Sequence, residues 1–438
     1  MRPAIFRTPL GLLLAAALCA AGTWTYANRV LVPYQKSDAT ARGRPRGNLS
    51  DLYPRWVGAK ELLLHRRDPY TAEVSREIQT GYYGRPIDPS RAEDPRDEQG
   101  FAYPVYAVFW LAPTIGLPFP VVQRGFFWVI LVLTLASTLI WIRVLHWALP
   151  VWAQTSLLIL TLGSLSVMQG LKLQQMSLLV AGLVAIAIAL LVADYPVAAG
   201  VLLAAATIKP QLVLLLLIWL AIWTITDLRH RYRLAVSFLA TMLILIGASE
   251  WLLPHWIPRF WHALAEYRRY TGTVSVIGLL VPGSFARILE LLTFAVFLVV
   301  CWRARRLAAG SGDFAFVLSL VLATTLLVVP TYGPYNQVFL IPALLVLVKE
   351  RRTIWQSGKA SRILFALATC AVLWPWISGT ALAALSFVLL PASVERAWAV
   401  PLWTVNQIPV AVAPLMFIRY YQQYSQRAFT APVRSGAS

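Results

Sequence analysis

Apolar runs of about 18 residues or more recur along this chain, and such runs are long enough to cross a membrane as helices. A helical run of that length approaches the roughly 30 Å hydrocarbon thickness of a bilayer. Only 13% of the residues are charged and 58% are hydrophobic, whereas a soluble domain usually has about 25% charged residues. A transmembrane barrel would instead show alternating segments of about ten residues. The sequence therefore predicts an all-α, polytopic integral membrane protein.

The net charge of +19 does not indicate a nucleic-acid partner. Most basic residues form short clusters between the apolar runs, which is the pattern of the positive-inside rule. The sequence has no zinc-ligand spacing and no glycine-rich phosphate loop. Cys19, Cys301 and Cys370 lie in or at the ends of apolar runs, so we predict no disulfide framework. The partner that composition predicts is the lipid bilayer.

The first apolar run, Pro9–Ala27, follows two arginines near the amino terminus. A cleaved signal peptide has the same order of charge and apolar residues. We favour an uncleaved first transmembrane helix within residues 1–27, because the run includes Trp24 and Tyr26, which suit a membrane interface.

Residues 28–102 form the one long polar segment and contain 11 of the 19 acidic residues. Within it, Pro54–His65 has helical apolar spacing and a proline that is tolerated in a first turn. Either Ser50 or Asp51 has the side chain that an N-cap requires. We expect a short amphipathic helix that lies at the membrane interface in a long outer loop.

Clusters of cations predict which ends of the later runs face the cytoplasm. The amino terminus and the cluster at 229–233 both have this character, yet seven apolar segments lie between them. One segment therefore should not cross. Residues 103–119, which are rich in proline, are the first choice for a re-entrant segment, and 196–208 is the alternative. A multi-span bundle then covers 120–420, with a polar tail at 421–438.

This topology places the polar interruptions of the apolar runs on one face, the outer one. The pieces that meet there are the 28–102 loop, the 169–174 turn, Lys209-Pro210, the 254–283 loop and the 331–336 turn. Their convergence predicts a single site that includes Asp51.

Four short motifs, in this order and at these spacings, resemble those of GT-C membrane glycosyltransferases, and most of all glycosyltransferase family 87. They are Ser50-Asp51-Leu52-Tyr53 with Asp68-Pro69-Tyr70, then Tyr103-Pro104, then Gln169-Gly170 to Gln175, and then Ala199-Gly200 to Ile208-Lys209-Pro210-Gln211. The resemblance runs from about residue 5 to 350. The third motif lacks the asparagine that the family often has.

The resemblance implies a GT-C-type helical bundle with a long outer loop after the first transmembrane helix. It implies a polyprenyl-phosphate-linked sugar donor, most often mannose, and an extracytoplasmic glycan or lipid acceptor. It also implies that Asp51 matches the acidic residue that serves as catalytic base. The expected location is a bacterial-type plasma membrane, with the active site on the extracytoplasmic face.

The chemistry of inverting transfer needs one carboxylate to accept the proton of the acceptor hydroxyl, and Asp51 is our candidate. The leaving phosphate needs nearby cations, and the candidates are Lys172, Lys209, Arg268 and Arg269. A possible sugar pocket consists of Gln175, Tyr332, Tyr335 and Asn336. We predict no cofactor and no protein-held metal site, although divalent-metal assistance stays open.

Each candidate also has a structural interpretation. Asp51 could only cap the helix, the two lysines could reach towards the interface, and the two arginines could be interfacial anchors. A Gly-Pro turn would explain Tyr335 and its neighbours. At the level of function, the alternatives are a transporter or flippase of lipid-linked glycans and a non-catalytic assembly partner.

Overall fold

A computed structural model of the protein describes residues 8–44, 50–272, 274–281, 283–330 and 333–430. Throughout these ranges the regular structure consists of helices and helical turns, which confirms the predicted all-α class.

The first helix is longer than its apolar run predicts. Helix α1 (Pro9–Tyr26) passes through a π-helical turn (Ala27–Leu31) into α2 (Val32–Ala41). The turn continues the helix because its Val30 and Leu31 are buried in the bundle. The polar segment predicted to begin at residue 28 therefore starts as helix.

The outer segment carries two helices that pack on one another. Helix α3 (Leu52–His65) contains the predicted Pro54–His65 stretch, and α4 (Ala72–Tyr83) follows after a short turn. Arg67 joins them, since its guanidinium donates to Glu61 of α3 at 2.8 Å and to Glu77 of α4 at 2.7 Å. Most of α3 is buried against protein, so it is packed more deeply than the interfacial helix we expected.

Residues 103–119 do not form one continuous helix. They contain a 3₁₀ turn (Val105–Ala107), α5 (Val108–Leu111) and a second 3₁₀ turn (Ala112–Thr114). Ten residues of helix cover at most about 20 Å, which is less than a bilayer core. The re-entrant course of this segment stays a prediction.

The chain then forms the first part of the bundle. Its helices are α6 (Phe119–Val144), α7 (Val151–Leu162), α8 (Leu165–Lys172), α9 (Met176–Val192), α10 (Pro196–Ala206), α11 (Pro210–Thr226) and α12 (Leu228–Leu252). Helices α7 and α8 meet at a 57° bend.

The remaining helices complete the bundle around a 3₁₀ segment (Pro334–Leu340). They are α13 (Trp256–Thr271), α14 (Val276–Leu280), α15 (Ser284–Ala304), α16 (Gly312–Val328), α17 (Ile341–Lys349), α18 (Arg351–Gln356), α19 (Lys359–Leu385), α20 (Pro391–Glu395), α21 (Val400–Val405) and α22 (Ile408–Thr430).

In the part of the chain that the structure describes, six helical stretches are long and apolar enough to cross a membrane. The number becomes seven if the bent α7–α8 pair counts as one span. The shorter apolar helices α9 and α16 lie inside. Helix α16 is buried without a break from Phe314 to Leu327, as expected for a helix that is apolar on every side. By contrast, Leu243 of α12 and Leu291 of α15 are largely exposed on the outside of the bundle.

Candidate functional site

The start of α3 is tied directly to the turn between α8 and α9. The Asp51 backbone N–H donates to the Leu173 carbonyl at 2.9 Å, and the Ser50 hydroxyl donates to the same carbonyl at 3.1 Å. The Ser50 Oγ also accepts a hydrogen bond from the Leu52 backbone N–H at 3.1 Å. No hydrogen bond from the Asp51 side chain caps the helix. The capping interpretation of Asp51 therefore does not account for its carboxylate.

The Asp51 carboxylate is held by two neutral donors from different parts of the chain. The Tyr82 hydroxyl of α4 donates to Oδ1 at 3.3 Å, and the Gln175 side-chain amide donates to Oδ2. Burial raises the pKa of this carboxyl group, whereas the charges of Arg55 and Lys209 and these two hydrogen bonds act to lower it. The result is a raised pKa, as is typical of carboxyl groups at functional sites.

Lys209 lies immediately before α11 and is buried. Its ammonium group donates to Gln175 Oε1 at 2.9 Å and to Ser177 Oγ at 2.8 Å. The Ser177 hydroxyl in turn donates to Asn336 Oδ1 at 2.6 Å. A continuous polar network thus connects Asp51, through Gln175 and Lys209, to the turn before α17.

These groups border a cavity of about 100 Å³. Its walls come from the outer segment, the ends of α10 and α11 that meet at Lys209, helix α13 and the turn before α17. The lining residues are Asp51, Arg55, Asp97, Gln99, Gly100, Ala102, Tyr103, Pro104, Gln175, Ile208, Lys209, Pro210, Gln211, Phe260, Leu264, Tyr267 and Tyr335. The cavity therefore contains two carboxylates, two cations and several aromatic rings.

Three helices begin at this cavity. Asp51 precedes α3, Gln175 precedes α9 and Lys209 precedes α11. The N-terminus of a helix carries a partial positive charge and unpaired N–H groups, which favour an anion. The cavity therefore suits a substrate that carries negative charge as well as polar groups.

Sequence reasoning missed Arg55, one turn after Asp51 on α3. Its Nη1 donates to the Asp51 backbone carbonyl at 2.8 Å, and its guanidinium lies 4.8 Å from the centre of the Tyr103 ring. Its Nε is buried without a hydrogen-bond partner. The i, i+4 spacing from Asp51 was the available signal, because it places both residues on one face of the helix.

Asp97 is the second lining residue that sequence reasoning missed. It stands in the irregular end of the outer segment among several acidic residues, and nothing in the sequence distinguishes it from Asp88 or Asp94. Only the fold brings it beside the cavity.

The structure separates the predicted site residues into two groups. Asp51, Gln175, Lys209 and Tyr335 line the cavity, and Asn336 is buried one contact behind it. The second group consists of residues away from the lining: Lys172, Arg268 and Arg269. Tyr332 lies outside the described residues.

The three cations of the second group have other surroundings. The Lys172 ammonium donates to Gln35 Oε1 of α2 at 2.5 Å. Arg268 and Arg269 are exposed near the end of α13. Their neighbour Tyr267 faces the cavity instead. Their roles stay predictions.

Among the described residues, no group of three or more His, Cys, Asp or Glu side chains is arranged to hold a metal ion.

A family model for glycosyltransferase family 87 matches residues 101–330, which is more than half of the chain. The chain belongs to glycosyltransferase family 87. No curated protein and no solved structure matches it. The protein is thus a membrane glycosyltransferase, which requires a sugar donor and an acceptor. The span that matches family 87 contains Gln175, Lys209 and most of the aromatic lining, while Asp51 and Asp97 precede it and Tyr335 follows it.

Proposed function

We propose that the protein transfers a hexose, in the first place mannose, from a polyprenyl-phosphate donor to a glycan or lipid acceptor. Asp51 acts as the general base. The observation that carries this proposal is the Asp51 carboxylate, which lines the cavity, does not cap its helix, and is oriented by Tyr82 and Gln175.

The proposed base fits inverting transfer. As the acceptor oxygen attacks the anomeric carbon, its proton passes to Asp51, and the bond from that carbon to the phosphate oxygen breaks. One correctly placed carboxylate suffices for this proton transfer. The raised pKa of Asp51 makes its carboxylate a stronger base than an exposed aspartate.

The leaving group would be a polyprenyl phosphate that gains negative charge as the bond breaks. Lys209 and Arg55 are the cations that line the cavity, and the starts of α9 and α11 add positive potential. Fixed charges of this kind stabilise a developing anion without reorganisation. We retain Lys172, Arg268 and Arg269 as further candidates for binding the donor phosphate.

We propose that the cavity opens on the extracytoplasmic side of a bacterial-type plasma membrane. Helix α11 begins at the cavity after Lys209, ends at Thr226 and leads into the basic 229–233 cluster. Its 17 residues cover about 25 Å. Such a cluster favours the cytoplasmic face, and the cavity at the other end of α11 therefore faces outward.

The test is sugar transfer by purified protein in detergent, with polyprenyl-phosphate mannose and a set of glycan and lipid acceptors. We expect Asp51→Asn to lower kcat about 10²- to 10⁴-fold, as loss of a general base does, with the thermal unfolding midpoint retained. Asp38→Asn on α2 is the matched control, because Asp38 lies on the protein surface and pairs with Arg42.

Transfer that is unaffected by Asp51→Asn would remove Asp51 as the base while keeping the enzyme class. Transfer of another polyprenyl-linked sugar but not mannose would correct the donor. Movement of lipid-linked glycan without any transfer would instead support a transporter.

A further inference from the structure

Asp97 reaches the cavity from the end of the outer segment, where three hydrogen bonds fix it. Its Oδ1 accepts from the Gln99 backbone N–H at 3.0 Å, and its Oδ2 accepts from the Gln99 side-chain amide at 3.0 Å. Its backbone carbonyl accepts from the Tyr83 hydroxyl at 2.8 Å. Gln99 itself has φ 54°, a left-handed conformation that costs a non-glycine residue free energy. The carboxylate is therefore held rigidly beside the cavity.

The same helix positions both carboxylates of the site. Tyr82 and Tyr83 are consecutive at the end of α4, and their rings pack edge to face with centres 4.9 Å apart. The Tyr82 hydroxyl contacts the Asp51 side chain, while the Tyr83 hydroxyl holds the Asp97 backbone. The relative placement of Asp51 and Asp97 is thus built into α4.

The charged groups of the cavity divide into donors and acceptors. Arg55 and Lys209 can only donate hydrogen bonds. Asp51 is assigned to proton transfer under the proposed function. Asp97 is then the charged acceptor that is left for substrate hydroxyl groups, and a carboxylate with two bonds still has lone pairs to offer. Burial raises the pKa of Asp97 and the negative charge of Asp51 adds to the effect, while the Gln99 N–H lowers it.

The remaining walls suit a sugar ring. Tyr103, Tyr267, Tyr335 and Phe260 line the cavity with aromatic rings. Such rings present apolar faces, which the C–H faces of a pyranose can cover. A rigid carboxylate among aromatic rings is an arrangement that can recognise both the apolar faces and the hydroxyl groups of a carbohydrate.

We infer that Asp97, held by Gln99, accepts hydrogen bonds from the hydroxyl groups of a sugar ring and thereby binds that ring in the cavity beside Asp51. This inference rests on the proposed function, since it assigns a sugar to the same cavity. The sugar belongs either to the donor or to the acceptor, and the kinetics of each substrate distinguish the two.

The first experiment measures KM for donor and acceptor separately in wild type, Asp97→Asn and Glu98→Gln. The control removes the same charge from the adjacent residue, which is exposed and does not line the cavity. We expect Asp97→Asn to raise KM for one substrate about 10- to 100-fold, as loss of a hydrogen bond to a charged group does. It should leave kcat within a few-fold, and Glu98→Gln should change neither.

A second measurement pairs the variant with sugars that lack one hydroxyl group. The deoxy sugar that loses the Asp97 contact should bind wild type about 10- to 100-fold more weakly, and Asp97→Asn should not distinguish it from the parent sugar. If Asp97→Asn does not fold, Asp97→Glu is used in the same cycle. Additive effects of the variant and every deoxy sugar would overturn the inference.

Two further outcomes overturn it and are distinguishable from failure of the proposed function. Unchanged KM values in Asp97→Asn, with normal transfer, would remove Asp97 alone. Loss of kcat with both KM values unchanged would place Asp97 in proton transfer rather than in sugar binding. If wild type transferred no sugar, the proposed function would fail and the inference with it.

Discussion

At the scale of single residues, opposing effects of burial and of neighbouring polar groups set the pKa of Asp51. Burial favours the neutral acid, while Arg55, Lys209, Tyr82 and Gln175 favour the carboxylate. The net effect is a raised pKa, so the carboxylate is a stronger base than that of an exposed aspartate. A substitution at any of these four neighbours should therefore change the pKa of Asp51.

The pH dependence of transfer should report this balance. The base must be ionised, so kcat/KM falls at acid pH, and the raised pKa places that acidic limb above the ordinary value of about 3.9. Tyr82→Phe removes a hydrogen bond that stabilises the carboxylate, which raises the pKa further. We expect the acidic limb of the kcat/KM profile to move to higher pH.

Tyr83→Phe is the matched control for this profile, because the Tyr83 hydroxyl binds the backbone carbonyl of Asp97 instead of the Asp51 side chain. It should leave the acidic limb where wild type has it. A limb that moves to lower pH in Tyr82→Phe would contradict the role assigned to the Tyr82 hydroxyl.

Some residues of the site could be predicted from the sequence because a motif or an apolar run marks their positions. Asp51 and Lys209 stand out as ionisable groups at the edges of motifs and apolar runs, and Gln175 belongs to a motif at the start of an apolar run. Asp97 stands in a loop whose path no periodicity fixes. Arg55 looks like an ordinary surface cation until the fold places Tyr103 beside it.

At the scale of elements, close helix packing positions the ends that form the site. Helix α10 leads to Lys209, and it packs against α12 at Gly200. A Cβ at Gly200 would lie 2.7 Å from the Leu234 carbonyl oxygen and 2.1 Å from Ser237 Oγ. Small residues allow membrane helices to approach this closely.

Gly200→Ala should therefore destabilise the protein, although alanine is the better helix former. We expect a loss of about 1–3 kcal/mol, typical of overpacking, seen as a lower thermal unfolding midpoint in detergent. Gly247→Ala on α12 is the control, since no atom beyond its own chain neighbours and the adjacent backbone of α12 lies within 4 Å of the position of its Cβ. It should leave the midpoint unchanged or raise it slightly. Equal effects of the two substitutions would argue against the close contact.

Two helices differ from what the hydrophobic pattern predicts, one in its length and the other in its burial. The helix through residues 28–41 is polar in composition, but burial of Val30 and Leu31 extends it beyond the apolar run. The helix at 52–65 was predictable from its spacing. Its depth was not, because its Glu61 is buried beside Arg67, a residue beyond the end of the helix, where helical spacing does not indicate which residues pair.

At the scale of the whole molecule, the site and the main cationic clusters lie at opposite ends of the helices that join them. The 3₁₀ segment Pro334–Leu340 and α17 lead from the site at Asn336 to Lys349, over about 23 Å. The basic stretch at 349–352 follows. Helix α11 has the same polarity between Lys209 and the 229–233 cluster. Two independent connections therefore give one direction to the bundle.

This polarity predicts from which side of the membrane cysteines introduced at two serine positions react with a thiol reagent. Ser90 is exposed in the outer segment, and Ser357 is exposed between α18 and α19 beside the cationic stretch. In a background without the native cysteines, we introduce Ser90→Cys or Ser357→Cys and add a membrane-impermeant maleimide to intact spheroplasts. Positive clusters stay in the cytoplasm, so the Ser90→Cys variant should react with the maleimide at once and the Ser357→Cys variant only after lysis.

The reverse pattern would put the Asp51 cavity on the cytoplasmic face, where a polyprenyl-linked donor and a nucleotide-linked donor would both be available. Labelling of both positions from outside would mean that the chain between them crosses the membrane an even number of times, and the polarity drawn from α11 and α17 would be wrong.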